Sequence, residues 1–113
     1  MDVAFGVDER TEGDLLHLAV RGELDLATAP MLRERLYGAA DRSSGPLIVD
    51  LLAVTFIDST ALGVLIGTQE RCQERGIDLR LVLEDARILK IFEITGLTSV
   101  FTIADSAQAA GAS

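Results

Sequence analysis

The stretch Leu47-Ile48-Val49-Asp50-Leu51-Leu52 constrains this chain more than any other. A near-continuous apolar run of this length suits a central strand covered on both faces. On either side of it the hydrophobic period changes. Before it, Ala29, Leu32, Leu36 and Ala39 or Ala40 recur at helical spacing; after it, Leu62, Leu65, Ile66 and Cys72 do the same. Strands that alternate with amphipathic helices imply crossover connections, and so a largely parallel sheet with helical cover.

The remaining segments extend this order. Val3, Phe5 and Val7 alternate as a short strand, and polar Asp8 to Asp14, with Gly13, reads as a hairpin loop. Leu16, Leu18 and Val20 form a second strand pairing antiparallel to the first, with Leu15, His17 and Ala19 on its other face. Gly22-Glu23-Leu24-Asp25 breaks the alternation. Thr28 suits a helix cap and Pro30 a first helical turn, where its missing N–H is not needed. The second helix runs to about Arg75, and Gly76 can end it in a left-handed conformation. Ile77, Leu79, Leu81 and Leu83 form a strand. Asp85 caps a third helix whose apolar side holds Ile88, Ile91 and Phe92, and which Gly96 terminates. Val100 to Ile103 reads as a last strand. The order is β-β-α-β-α-β-α-β: one α/β domain over 1–105, with a mixed, mostly parallel sheet of four or five strands and helices packed against it. An Ala-rich tail over 106–113 has the composition of a frayed helix.

Composition sets the limits. A chain of 113 residues folds to a surface of ~6,000 Å² from ~17,500 Å² unfolded, enough burial for one core and too little for two. Hydrophobic residues at 49% and charged residues at 25% describe a globular chain. Ten Lys plus Arg against eighteen Asp plus Glu give a net charge of −8. Clustered cations are what phosphate backbones and anionic lipids require, so nucleic-acid and membrane partners are disfavoured. Cys72 stands alone and cannot form an internal disulfide, which fits a reducing compartment. Met1 to Phe5 shows no basic stretch leading into an apolar one, and Ala61 to Thr68, interrupted by Gly63 and Gly67, is far too short to span a bilayer. A cytoplasmic protein is the expectation.

Catalytic constellations are missing from the sequence. His17 reads as a solvated surface histidine on the face opposite the apolar set, and Cys72 as a packed thiol. One Cys and one His cannot build a soft-ligand zinc site, and no Gly-rich phosphate loop is present. An enzyme using Asp58 as base and Ser59 as nucleophile is disfavoured, because adjacent residues at a helix start point in different directions. The reading is therefore of a protein that is not an enzyme and has no catalytic residue, metal or cofactor.

Phe56-Ile57-Asp58-Ser59-Thr60-Ala61-Leu62-Gly63 is the informative segment. It follows the central strand and opens a helix. Asp, Ser and Thr all cap helices, so capping alone accounts for it as readily as function does. In open α/β sheets, however, function collects outside the carboxyl ends of strands, and a helix N-terminus tolerates a phosphate. A phosphate on Ser59 would add roughly −1.5 to −2 charge beside Asp58 while leaving the fold intact. If the strand before Asp25 runs parallel to the central one, Asp25 and Ser59 lie at the same end of the sheet.

Three segments in order, Gly22 to Pro30, Asp58 to Val64 and Phe92 to Leu97, carry a resemblance. The chain resembles the bacterial anti-sigma factor antagonists of the STAS domain family, over roughly Val3 to Ile103. The resemblance implies a cytoplasmic regulator of transcription that works by partner switching. It would bind an anti-sigma factor that is also a serine kinase, be switched off by phosphorylation, and be reset by a phosphatase. It implies Ser59 as the phosphoacceptor, and Asp25, Asp58, Ser59, Thr60 and Leu24 as partner-binding residues. Leu26 and the exposed part of the second helix would add docking surface. Ala61 stands where relatives commonly carry Gly; its methyl favours the helix by up to about 1 kcal/mol and narrows the approach of a partner. Relatives that are never phosphorylated give the alternative, a phosphorylation-independent interaction or small-ligand-binding module.

Overall fold

In the computed structural model, which describes residues 4–112, the run beginning at Leu47 becomes the longest strand, β3 (Leu47–Ile57). It lies between β2 (Leu15–Leu24) and β4 (Leu79–Val82) and is parallel to both. β5 (Thr102–Ala104) continues the parallel set beyond β4, and β1 (Gly6–Glu12) lies antiparallel along the outer side of β2. The spatial order is β1-β2-β3-β4-β5. The crossovers are α1 (Ala29–Arg42), α2 (Ser59–Glu74) and α3 (Ala86–Ile94), the last followed by a short 3-10 turn, Leu97–Ser99. The α/β architecture with a mostly parallel sheet is as expected. The accessible surface of 5967 Å² matches the ~6,000 Å² that one core of this size requires.

The cover of the sheet differs from the expectation. Leu47, Val49 and Leu51 of β3 share one core with Leu16, Leu18 and Val20 of β2, Leu32 and Leu36 of α1, and Leu65 of α2. Ile88 and Phe92 of α3 join the same core. Ile48 points the other way, as strand alternation requires, into a small separate cluster with Val82, Ala110 and Ala112. Helices thus cover one face, and residues 106–112 form turns that lay Ala107, Ala110 and Ala112 on the start of the other. Farther along that second face Leu52 stays 46% exposed. The continuous apolar run reflects a helical layer on one side and a small alanine patch on the other.

Element boundaries also move: the strand expected over Ile77 to Leu83 shortens to β4, leaving Ile77 and Leu83 outside it. The stretch Asp8 to Glu12, expected as loop, is strand, and the chain reverses at Gly13-Asp14. An edge strand can keep charged residues because one side meets water. Here they pair with neighbours, Asp8 with Arg21 at 2.6 Å and Glu9 with Arg42 at 2.7 Å. Val3 of the expected first strand and Ser113 of the tail lie outside the described residues. At the other end, Val100 and Phe101 leave the expected last strand, Phe101 packing edge-on against Phe92 with ring centroids 5.8 Å apart, so β5 starts two residues later.

Candidate functional site

Parallel pairing decides where the loops meet. Leu24, the last residue of β2, stands opposite Ile57, the last of β3, so both chains leave the sheet at the same end. The Leu24 carbonyl accepts from the Asp58 amide at 3.0 Å. Asp25 and Ser59 therefore occupy neighbouring loops.

The first loop is shaped by its own polar groups. Gly22 has φ +95, which side-chain-bearing residues rarely adopt, and the pairing slips between Gly22 and Glu23. β2 turns there toward α1. Asp25 Oδ1 accepts from the amides of Ala27 and Thr28 at 3.0 and 3.1 Å, closing an Asx turn. Thr28 precedes α1 as expected, but its hydroxyl does not cap the helix. It accepts from the Asp25 amide at 3.0 Å and donates to the Glu23 carbonyl at 2.9 Å. Leu24, expected at a docking surface, is wholly buried in the core. Strand alternation turns it inward, and exposed Leu26 presents the apolar side chain of this loop instead.

The second loop is a capped helix start. Asp58 Oδ1 accepts from the Ala61 amide at 3.0 Å. Ser59 is the first residue of α2, and both it and Thr60 are exposed. The amides of a first helical turn have no intrahelical acceptor and carry partial positive charge, so negative charge is favoured there by about 0.3–1 kcal/mol. Ala61 is fully buried. Its methyl points into the core, so the expected narrowing of a partner's approach does not arise.

Between α1 and α2, next to Ser59, runs a groove of about 500 Å³. Leu26, Ala29, Pro30, Thr60, Gly63 and Val64 line it, and Arg33 and Tyr37 also contribute. A Cβ on Gly63 would meet nothing within 4 Å, so this glycine leaves open space. A Cβ on Gly67 would lie 1.9 Å from the Tyr37 hydroxyl, so Gly67 lets that ring cross α2. The guanidinium groups of Arg33 and Arg71 stand 5.2 and 4.4 Å from the ring centre. The sequence reading missed Arg33 and Tyr37. Their i, i+4 spacing and the Gly63, Gly67 pair were the available signals, but neither reveals which faces of the helices meet.

The other candidates sit elsewhere. His17 is buried, correcting the solvated reading. Arg10 donates to its Nδ1 at 3.0 Å, and Nε2 lies 3.1 Å from Asp50 Oδ2. Arginine has no acceptor, so the ring carries its hydrogen on Nε2 and donates to Asp50. The cross-strand neighbours on that face are what enclose it. His17 pairs with Ile48, nine residues before Ile57 along β3, or about 30 Å at strand rise, and cannot serve Ser59 as a base. Burial pushes the Cys72 thiol up to about 11, which leaves little nucleophilic thiolate. Among the described residues no three His, Cys, Asp or Glu side chains gather to hold a metal, and no helix is long and apolar enough to cross a membrane.

Comparison with known proteins places these features in a wider set. A family model described as the STAS domain matches residues 7–110. The anti-sigma-B factor antagonist of Bacillus subtilis is 32% identical over 104 residues, covering 92% of this chain and 94% of its own. That of Listeria monocytogenes is 34% identical over 103 residues, covering 91% and 90%. Among solved structures, an anti-sigma factor antagonist from Mycobacterium paratuberculosis matches with a TM-score of 0.77 at 26% identity, covering 93% of this chain and 89% of that one.

Proposed function

Because the chain belongs to the STAS domain family, we propose that it is an anti-sigma factor antagonist whose docking is switched off by phosphorylation of Ser59. The relatives' names supply the partner class. The exposure of Ser59 at the first position of α2, beside the Asp58 cap and one end of a groove, is the observation that carries the switch. In its unmodified form the chain binds an anti-sigma factor, and in doing so frees the sigma factor. That anti-sigma factor is also a serine kinase. The Ser59 hydroxyl attacks the γ-phosphorus of the kinase's ATP, its proton passes to a base on the kinase, and ADP departs. The chain is the substrate of this step and catalyses nothing. Hydrolysis of the phosphoserine by a phosphatase restores the docking form.

The energetics favour a switch at this position. The helix terminus tolerates the added charge, so the core is undisturbed. A partner surface fitted to a neutral hydroxyl then faces roughly −1.5 to −2 charge at contact distance, and like charge across an interface costs several kcal/mol. Asp25 and Asp58 shape the two loops, and with Thr60 they frame the surface that the partner meets.

The test is incubation with the anti-sigma factor and ATP, followed by mapping of the modified residue by mass spectrometry. Ser59→Ala should fold, bind, and resist switching; Ser59→Asp should bind weakly. Binding of Ser59→Asp as tight as that of the unmodified chain would exclude the charge switch and favour a phosphorylation-independent interaction module.

A further inference from the structure

We propose that the α1–α2 groove receives an apolar side chain of the anti-sigma factor together with a neighbouring carboxylate, and that Arg33 pairs with that carboxylate. This rests on the reading of the chain as an anti-sigma factor antagonist and adds the chemistry by which the partner is recognised. The groove wall is mostly apolar, with Leu26 73% exposed at its mouth. Exposed apolar surface in a concave site marks a binding position. Gly63 adds depth, since nothing occupies the space its side chain would fill.

Arg33 supplies the charge. Other arginines of the chain are engaged by its own carboxylates, such as Arg42 by Glu9, Arg71 by Asp41 and Arg21 by Asp8. Among the described residues Arg33 enters no ion pair, and its guanidinium is held over the Tyr37 ring. That ring is fixed in turn by Gly67 beneath it and by Arg71. A guanidinium held in place loses less entropy when a carboxylate arrives. On a chain of net charge −8 the surroundings repel acidic partners in general, so an acidic group is accepted where Arg33 meets it and refused elsewhere. Thr60 lines the same groove next to Ser59.

The test uses the full chain and the anti-sigma factor that it captures from native lysate, identified by peptide mass and purified. Affinity is measured by calorimetry for the unmodified chain, Arg33→Gln, Gly63→Leu and Ser59→Asp, with melting curves confirming that each variant is folded. We expect Arg33→Gln and Gly63→Leu each to weaken binding by about tenfold or more. Arg33→Gln should also flatten the fall of affinity with salt. Affinity unchanged in both variants overturns the proposal, even if Ser59→Asp binds weakly and the phosphorylation reading stands. Unchanged affinity in Arg33→Gln alone overturns the carboxylate pairing. Weak binding by both groove variants with full binding by Ser59→Asp supports the groove and removes the phosphorylation switch. Self-association of the unmodified chain that Arg33→Gln abolishes, with anti-sigma factor affinity unchanged, would assign the groove to a second copy and overturn it as well.

Discussion

The amide of Asp58 donates to the carbonyl of Leu24 at 3.0 Å, so the loop after β2 and the start of α2 are held by one backbone bond. The Asp58 side chain does separate work as the cap that accepts from Ala61. Asp58→Ala should therefore cost about 0.5–2 kcal/mol of stability. Asp58→Asn keeps an oxygen acceptor and should cost less. Urea denaturation of the two variants separates the cap from the charge: equal losses would show that the carboxylate charge, and not the cap, matters.

Leu24 and Leu26 are two residues apart and should behave oppositely. Leu24 is fully buried and Leu26 is 73% exposed. Leu24→Ala should lose about 2–5 kcal/mol through lost burial and a residual cavity. Leu26→Ala should leave stability within about 0.5 kcal/mol of the unmodified chain while weakening partner binding. Thermal melts paired with calorimetric titration would read both effects.

The two glycines of α2 make a second contrasting pair. Gly67→Ala drives a methyl into the Tyr37 hydroxyl at 1.9 Å, and we expect a loss of about 1–3 kcal/mol as the ring is displaced. Gly63→Ala meets open space and should stabilise the helix by up to about 1 kcal/mol. Opposite shifts in melting temperature would bear this out; equal shifts would not.

Stability should fall at both pH extremes for identifiable reasons. Hydrogen bonding from Arg42, aided by its charge and that of Arg35, holds Glu9 below its ordinary 4.5. Its contribution is complete above 4.5 and is lost as pH falls through the lowered value, by less than about 1 kcal/mol because the pair faces solvent. Cys72 moves the other way. Burial raises it from 9.0 to about 11, so its contribution is complete below 9.0 and is lost as pH rises toward 11. Melting temperature against pH should show a shallower acid slope for Glu9→Gln and a shallower alkaline slope for Cys72→Ala.

Much of this was legible before any coordinates. The apolar periods of α1, α2 and α3 marked their buried sides, and the Asp58 and Asp85 caps appear where side-chain chemistry requires them. Harder to read were residues whose environment comes from a distant strand. His17 looked solvated because it lies on the strand face opposite Leu16, Leu18 and Val20, yet Arg10 and Asp50 close over it from flanking strands. Leu24 looked available because it lies in a loop-like motif, but it is the last inward position of β2.

Local chemistry determined the elements, the single core, and a hydroxyl exposed at a helix start, because periodicity, capping and charge act within a few residues of chain. Which helix faces meet, and therefore the groove with Arg33 laid on Tyr37 beside Ser59, was decided only by packing. That outcome depends on α1 and α2 crossing where Gly67 admits an aromatic ring, a contact between residues 30 positions apart that no local pattern encodes.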